Sequence, residues 1–194
     1  MRVIAGMAKR IPLSAPKGTA TRPTSDRAKE SLFNILAARI INARFLDLFC
    51  GSGAIGIEAL SRGARLATFV DNSKFSYAAV SENLKKTSMC RLEVQILRMN
   101  VPSAIRQLDR EGHQYDIIFL DPPYDIRGTH FLIETLQGLS ATHLLAENGL
   151  LIAETDTRTG TTFIASDLRL PFVRFDMRRC GQTCFLFFQW GDAE

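Results

Sequence analysis

The chain has 194 residues, of which 46% are hydrophobic and 23% charged, and its formal net charge is +4. These proportions predict a soluble globular protein with one domain and a substantial core. No apolar run approaches the roughly 18 residues that cross a membrane, and the first residues lack the apolar stretch of a secretory signal. The four cysteines are scattered without a Cys-x-x-Cys pair, which argues against a disulfide framework or a zinc site and favours a reducing, cytoplasmic location.

Positive charge is concentrated near the N-terminus. Residues 1–39 carry eight Lys or Arg and two acidic residues, whereas the remaining 155 residues carry 16 basic and 18 acidic groups. A basic extension on a slightly acidic body indicates a polyanionic partner, most simply nucleic acid. On charge alone, a solvated basic face is an equally good interpretation.

The first predicted elements belong to this basic extension. Residues 2–5 and 9–14 could pair as a short hairpin around Gly6, and residues 17–24 read as a loop. We therefore expect a basic hairpin and linker over residues 1–24 and a single domain over residues 25–194. The domain would open with a helix that Ser25 or Asp26 caps. The apolar face of that helix would consist of Ala28, Leu32, Phe33, Leu36 and Ile40.

From residue 45 onward, strand and helix patterns alternate. The predicted strands are 45–49, 66–71, 92–98, 115–121 and 149–155, and the predicted helices are 54–62, 73–86, 102–111 and 129–139. This alternation predicts an α/β fold with right-handed crossovers, a parallel sheet and helices on both faces. The last segments, 172–179 and 183–190, are too close for a helix between them and should form an antiparallel hairpin, which brings the sheet to seven strands.

A glycine-rich turn follows the first of these strands. Residues 45–56 read Phe-Leu-Asp-Leu-Phe-Cys-Gly-Ser-Gly-Ala-Ile-Gly, which fits G-x-G-x-x-G between a strand and a helix. In this pattern Gly51 permits the tight turn, Gly53 lets a ligand approach and Gly56 allows close packing. Asp71 ends the next strand, 20 residues after Gly51, where it could accept hydrogen bonds from ribose hydroxyls. The pattern predicts an adenosine-containing ligand, and the alternative is a turn that binds nothing.

Asp47 bears on which ligand this would be. A dinucleotide would place its pyrophosphate at the helix N-terminus, and a carboxylate four residues before Gly51 would repel it. The same carboxylate would attract a ligand with an ammonium and a sulfonium. The sequence therefore favours S-adenosylmethionine over a nicotinamide dinucleotide.

A second motif ends the strand near residue 120. Ile117 to Leu120 form an apolar run, as in a strand buried on both faces, and the run stops at Asp121-Pro122-Pro123-Tyr124. Because prolines lack backbone N–H groups, the strand must end there and leave Asp121 at its carboxyl edge, where α/β proteins bind ligands. Hydrogen-bond acceptors beside a flat ring suit a planar amine. Taken alone, the peptide could equally be a strand-ending turn.

Both motifs resemble those of a known class of enzymes. Residues 47–56 resemble motif I, and residues 121–124 motif IV, of class I S-adenosylmethionine-dependent methyltransferases. Residues 22–34 and 58–64 are similar to the bacterial 16S rRNA (guanine966-N2)-methyltransferase family, and the resemblance covers nearly the whole chain. Residues 180–183 depart from it, because they read Cys-Gly-Gln-Thr where that family often has Tyr-Gly-x-Thr. The departure leaves the role of the last hairpin open.

The resemblance implies a Rossmann-like methyltransferase sheet whose last strand is antiparallel. It also implies S-adenosylmethionine as cofactor and a guanine of 16S rRNA, or of the assembling small subunit, as substrate. We expect a monomer that does not associate with membranes. The residues expected to bind the cofactor are Asp47, Phe49, Gly51, Ser52, Gly53, Asp71, Asn72, Asn100 and Asp121.

The chemistry of guanine N2 assigns roles to the proline motif. The exocyclic amine is a poor nucleophile, because its lone pair is delocalised into the ring. Asp121 and the Pro122 carbonyl could accept its two hydrogens and direct the lone pair at the methyl group, while Tyr124 stacks on the base. These three are the expected catalytic residues. Carbon methylation of cytosine would need a cysteine thiolate here, and the motif has none.

RNA contacts are expected from the basic extension. The main candidates are Lys9, Arg10, Arg22 and Arg27, and the weaker ones are Arg174, Arg178 and Arg179. For Arg27, the alternative is an ion pair with Glu30. Three other functions stay open: methylation of adenine N6 in DNA or of a glutamine amide, nicotinamide-dependent oxidoreduction, and RNA binding without catalysis.

Overall fold

The computed structural model describes residues 1–17, 24–123, 130–162 and 170–191. Within these ranges the strands are β1 Arg44–Leu48, β2 Leu66–Val70, β3 Glu93–Leu97, β4 Tyr115–Leu120, β5 Leu145–Asp156, β6 Phe172–Cys180 and β7 Thr183–Trp190. The helices are α1 Asp26–Ile35, α2 Ala54–Ser61, α3 Lys74–Lys86, α4 Val101–Arg110, α5 His130–Ser140 and α6 Thr157–Thr162, and a short 3-10 turn spans Met89–Arg91.

All seven of these strands form one sheet, in the order β3-β2-β1-β4-β5-β7-β6. Strands β1 to β5 pair in parallel, while β7 runs antiparallel to both β5 and β6. The predicted α/β sheet with a closing hairpin is therefore confirmed. The chain builds outward from β1 through β2 to β3 and then returns to place β4 on the other side of β1. The strand order thus reverses between β1 and β4.

The sheet is covered on both faces because its central strands are apolar on both sides. On one face, Phe45, Ile117 and Ile152 pack with buried residues of α1, α2 and α3. On the other face, residues such as Leu46 and Ile118 pack with α4 and α5. The continuous apolar runs of β1 and β4 follow from this double burial.

Some element boundaries differ from the prediction. Ser25 is the N-cap of α1, and its hydroxyl oxygen accepts a hydrogen bond from Ala28 N at 3.1 Å, as expected. The regular helix ends at Ile35, but Ile40 is still buried beyond it through a turn. Strand β5 begins four residues earlier than predicted, because Leu145 pairs with Tyr115 across an irregularity in register. Helix α6 was not predicted.

The N-terminal residues contain one antiparallel bridge, between Arg2 and Pro12. Val3 is fully buried and belongs to the same core as α1 and α2. The backbone N–H groups of Ile4 and Ala5 donate to the carboxylate of Glu58 on α2, at 2.8 and 3.0 Å. The N-terminal segment is thus docked on the sheet-covering helices. The division of the chain at residue 24 stays a prediction.

Candidate active site

The site lies where the strand order reverses. Strands β1 and β4 pair in parallel, with Leu48 opposite Leu120 at their carboxyl ends. In open α/β sheets, ligands bind outside the carboxyl ends of the strands at such a reversal. Both sequence motifs begin at this edge, since the glycine-rich turn follows β1 and the proline motif follows β4.

The glycine-rich turn has an unusual backbone. Phe49, Gly51 and Gly53 all have positive φ, at 60°, 53° and 74°. A left-handed conformation is costly for a bulky residue such as Phe49, and strain of this kind concentrates at functional sites. A Cβ on Gly51 would have no atom within 4 Å, whereas one on Gly53 would lie 3.1 Å from Val80 Cγ2. The open side of the turn is therefore at Gly51, although the sequence pattern assigned ligand approach to Gly53.

Gly56 has the close-packing role that the motif predicted. A Cβ at this position would lie 2.4 Å from Phe69 Cε1 and 3.1 Å from Asp47 Oδ2. Its backbone N–H donates to the same Asp47 oxygen at 2.9 Å. Gly56 thus lets α2 approach the sheet and fixes the carboxylate of Asp47.

We expect Gly56→Ala to cost about 1–3 kcal/mol of unfolding free energy, because the new methyl group overpacks against Phe69. It should also weaken cofactor binding by displacing Asp47. The matched control is Gly138→Ala on α5, where the added Cβ would meet its nearest atom at an ordinary 3.6 Å. That change should stabilise by about 0.5–1 kcal/mol. Urea denaturation of both variants tests this, and equal effects would contradict the packing argument.

Asp71 is held beside the turn by two backbone donors. Gly51 N donates to one carboxylate oxygen at 3.0 Å and Ser73 N to the other at 2.8 Å. Each oxygen keeps a lone pair, so the geometry is compatible with a ribose contact. Asn72 is exposed next to it. The roles of both residues stay predictions.

Two other expected cofactor residues have structural partners. Asn100 is the N-cap of α4, and its amide oxygen accepts from Ser103 N at 2.9 Å. The Ser52 hydroxyl donates to Met1 Sδ at 3.4 Å. Both residues lie beyond the carboxyl ends of strands, on the ligand-binding edge of the sheet, and their cofactor contacts stay predictions.

Three carboxylates line one face of this edge. Side chains alternate along a strand, and Asp47 shares a face with Phe45, as Asp121 does with Phe119. Glu154 shares that face with Ile152. These three aromatic and aliphatic neighbours all lie in the core beneath α1, α2 and α3. The acids therefore point to the same side of the sheet.

The strand register fixes the order of these acids. Leu120 pairs with Ala153, so the next residues, Asp121 and Glu154, are neighbours across β4 and β5. Asp47 pairs with Phe119, two residues before Asp121, which places it about 7 Å further down the sheet. We call Asp47, Asp121 and Glu154 the acid row.

Burial makes the acid row easy to protonate. It raises the pKa of Asp47 to about 7, against the opposing hydrogen bond from Gly56 N. Burial also raises the pKa of Glu154 to about 7, although the hydroxyls of Thr24 and Thr183 oppose it. The pKa of Asp121 is raised well above its usual range, first by burial and then by the charges of Glu154 and Asp47. Such a site attracts protons or cationic ligands.

The proline motif is tied to β1 through its first residue. Asp121 N donates to Leu48 O at 3.3 Å, and the motif then leaves the sheet with Pro122 buried and Pro123 exposed. Tyr124, the third expected catalytic residue, lies outside the described residues. So does Arg22 in the basic extension.

The other expected RNA contacts are brought together. Lys9, Arg10 and Arg27 line a cavity of about 380 Å³ between the N-terminal segment and the start of α1. All three are exposed, and within the described ranges no ion pair joins Arg27 to Glu30. The weaker candidates do not line this cavity and lie on the edge strand β6: Arg174, Arg178 and Arg179.

Two absences apply to the described part of the chain. It contains no group of three or more His, Cys, Asp or Glu arranged to hold a metal ion. None of its helices is long and apolar enough to cross a membrane.

Comparison with known proteins finds relatives along nearly the whole chain. Residues 1–189 match the model of a protein family described as Conserved hypothetical protein 95. The chain belongs to this family. Its relatives include Ribosomal RNA small subunit methyltransferase D of Escherichia coli strain K12, which is 36% identical over 170 residues covering 88% of this chain and 82% of the relative. The protein of the same name from Haemophilus influenzae is 32% identical over 158 residues, covering 80% and 79%.

Solved structures agree with this membership of the Conserved hypothetical protein 95 family. The structure of yhhF from Escherichia coli has a TM-score of 0.80 and 30% identity, and the match covers 98% of this chain and 97% of that one. A hypothetical protein of Thermus thermophilus has a TM-score of 0.77 and 26% identity, covering 97% and 99%. The resemblance to the bacterial small-subunit rRNA methyltransferases, drawn from residues 22–34 and 58–64, is confirmed.

Glu154 was not identified from the sequence as a residue of this site. Glu154 matches no motif that we recognised, yet it completes the acid row. A signal was present, because Glu154 follows the apolar run Leu150 to Ala153 just as Asp121 follows Ile117 to Leu120. Two adjacent parallel strands that each end their apolar run on an acid place those acids side by side.

Proposed function

We propose that this protein transfers a methyl group from S-adenosylmethionine to the exocyclic N2 of a guanine in small-subunit (16S) ribosomal RNA. The observation that carries the proposal is the position of Asp121, at the strand-order reversal and beside the open glycine turn. Membership of a family that includes small-subunit rRNA methyltransferases supports both the reaction class and the substrate class.

The residues of the site fit a cationic cofactor. The carboxylate of Asp47 accepts a hydrogen bond from Gly56 N in the first turn of α2. A dinucleotide would put its pyrophosphate near this helix N-terminus, where the carboxylate would repel it. The Asp47 carboxylate, together with Asp121, favours positive charge over phosphate. When bound, S-adenosylmethionine would supply an electrophilic methyl group next to a sulfonium and an ammonium. Asp47, Gly51 and Asp71 are the residues we expect to hold it.

The proline motif would orient the amine. In its ionised form Asp121 accepts one N–H of the amine, and the Pro122 carbonyl accepts the other, so that the nitrogen lone pair points toward the donor. A proline has a fixed φ, which holds these acceptors in place before the substrate arrives. The base must leave its stack to reach this edge, at a cost of a few kcal/mol. Positioning would therefore supply most of the catalysis.

The cavity lined by Lys9, Arg10 and Arg27, whose rim also carries Arg2, Asp26 and Glu30, would hold the RNA backbone. Arg27 lies three residues after Thr24, whose hydroxyl donates to Glu154 of the acid row at 2.7 Å. Phosphates bound in the cavity would thus lie near Thr24, which contacts the acid row.

We expect Arg27→Ala to weaken binding of small-subunit rRNA at low salt and to reduce the slope of log K against log salt by about 1, because one phosphate contact is lost. The matched control is Arg65→Ala, since Arg65 is also exposed but lies at the amino end of β2 and does not line the cavity. Filter binding over a salt series measures both slopes. An unchanged slope for Arg27→Ala would remove this residue from the interface.

Methyl transfer itself tests the proposed function. The purified protein is incubated with methyl-labelled S-adenosylmethionine and with small-subunit rRNA, either naked or as assembled particles, and large-subunit rRNA serves as the control. We expect label in the small-subunit RNA in at least one of its two forms. A protein that binds NAD tightly in calorimetry and shows no response to S-adenosylmethionine would overturn the proposal.

A further inference from the structure

Glu154 has no role in the amine clamp described above, yet it lies directly beside it. Glu154 is buried, with only 6% of the residue exposed. Two hydroxyls contact its carboxylate, Thr24 Oγ1 at 2.7 Å from one oxygen and Thr183 Oγ1 at 3.4 Å from the other. These contacts hold the carboxylate in place from both sides, from the segment before α1 and from the start of β7.

Asp121 and Glu154 occupy adjacent positions on neighbouring parallel strands, on the same face of the sheet. Two carboxylates this close repel each other when both are ionised, so a proton is retained by the pair rather than by either acid alone. The other acids whose charges reach the pair are Asp47 on β1 and, through Asp47, Asp71 after β2. The nearby Cys50 thiol adds no charge, since burial moves its pKa further above its ordinary value.

We propose that Glu154 is a positioning residue whose carboxylate controls the charge on Asp121, the acceptor of the substrate amine. The inference rests on the proposed function, because it assigns a task to a neighbour of the amine clamp. Before the cofactor binds, Asp121 and Glu154 together retain one proton. Beside a bound cationic cofactor the pair would be fully ionised, so its proton would pass to solvent on binding and Asp121 would be ready to accept an N–H of guanine.

This role makes proton release a direct readout. Calorimetry of S-adenosylmethionine binding near pH 7, in two buffers with different ionisation enthalpies, gives the number of protons released. We expect a release on the order of half to one proton for the wild-type protein. Glu154→Gln keeps the size of the side chain and its acceptor oxygen for Thr24 but removes the charge, so the release should fall by at least half.

The pH dependence of single-turnover methyl transfer gives a second readout. Removing the charge of Glu154 makes Asp121 easier to ionise, so the acidic limb of the rate profile should move about one pH unit lower in Glu154→Gln. A purely structural contribution of Glu154 would lower the rate at every pH without moving the limb. Glu147→Gln is the matched control, because Glu147 lies on the same strand but is exposed at its other end. Its profile and proton release should equal those of the wild type.

A measurement on the unaltered protein covers the case in which Glu154→Gln does not fold. Titration of carboxyl carbons labelled with carbon-13 should show Asp121 and Glu154 titrating in two mutually dependent steps, at least one of them near neutral pH. Independent titration of both acids below pH 5 would overturn the inference, as would unchanged proton release in Glu154→Gln. If the wild type does not bind S-adenosylmethionine at all, the proposed function fails, which is a distinguishable result.

Discussion

Asp121→Ala should lower the single-turnover rate of methyl transfer by about 10²–10⁴-fold, the range typical for loss of a positioned acceptor at a reacting group. Binding of S-adenosylmethionine should change far less, because Asp47 and the glycine turn stay in place. The loss of rate is expected because Asp121 is held in a fixed position at the end of a strand. Asp121 follows the last residue of β4 and is tied through its backbone N–H to Leu48 O of β1 at 3.3 Å.

The measurement combines rapid-quench kinetics with calorimetry of the same preparation. Asp116→Ala is the matched control, since Asp116 lies on β4 as well but pairs with Arg44 at 2.8 Å, near the other end of the strand. That control should transfer methyl groups at the wild-type rate. If Asp121→Ala does so too, the amine-clamp mechanism is wrong.

Glu58→Ala should lower the free energy of unfolding by about 3–5 kcal/mol, the usual cost of breaking a buried ion pair from one side. Glu58 is fully buried, and Lys29 Nζ lies 3.1 Å from its carboxylate with only 1% of the lysine side chain exposed. Arg62 Nε donates to the same carboxylate at 2.8 Å. Removing Glu58 leaves the Lys29 charge buried without a carboxylate partner, with only the carbonyl of Arg2, among the described residues, to accept from it. It also frees the backbone N–H groups of Ile4 and Ala5.

Urea denaturation measures this loss. Glu93→Ala is the control, because Glu93 contacts Arg65 at 3.8 Å with both side chains mostly exposed, and such pairs contribute at most about 1 kcal/mol. Amide exchange in residues 1–14 should also accelerate in Glu58→Ala, since the N-terminal segment loses its attachment to α2. Equal stability losses in the two variants would contradict the assigned role of the buried pair.

The sheet could be predicted because its signals are local. The apolar run of β4 and the glycine pattern after β1 each lie within a dozen residues, and right-handed crossovers then order the parallel strands. Helix α6 escaped prediction because Thr-Arg-Thr-Gly-Thr-Thr has low helix propensity. Its position depends instead on packing, with Gly160 set against Cys184 of β7 so closely that a Cβ would lie 2.6 Å from the sulfur.

Some acids of the site could be predicted from local motifs, and one was not. Asp47, Asp71 and Asp121 stand in recognisable motifs, so their positions at the sheet edge followed from the sequence. Glu154 also ends an apolar run, which could have indicated its place beside Asp121, but its hydroxyl partners could not be predicted, since its hydrogen bond to Thr24 spans 130 residues. Which hydroxyl meets a buried carboxylate is decided by strand register and by the path of the chain before α1. Neither is encoded in a local pattern.

The identity of the methylated atom tests the central claim most directly. Small-subunit RNA labelled by the protein with methyl-labelled S-adenosylmethionine is digested to nucleosides, and the labelled nucleoside is identified by mass spectrometry. N2-methylguanosine, absent when the Asp121→Ala variant is used, is the predicted result. Label found as N6-methyladenosine, or in ribosomal protein rather than RNA, would contradict the assignment of guanine N2 as the acceptor.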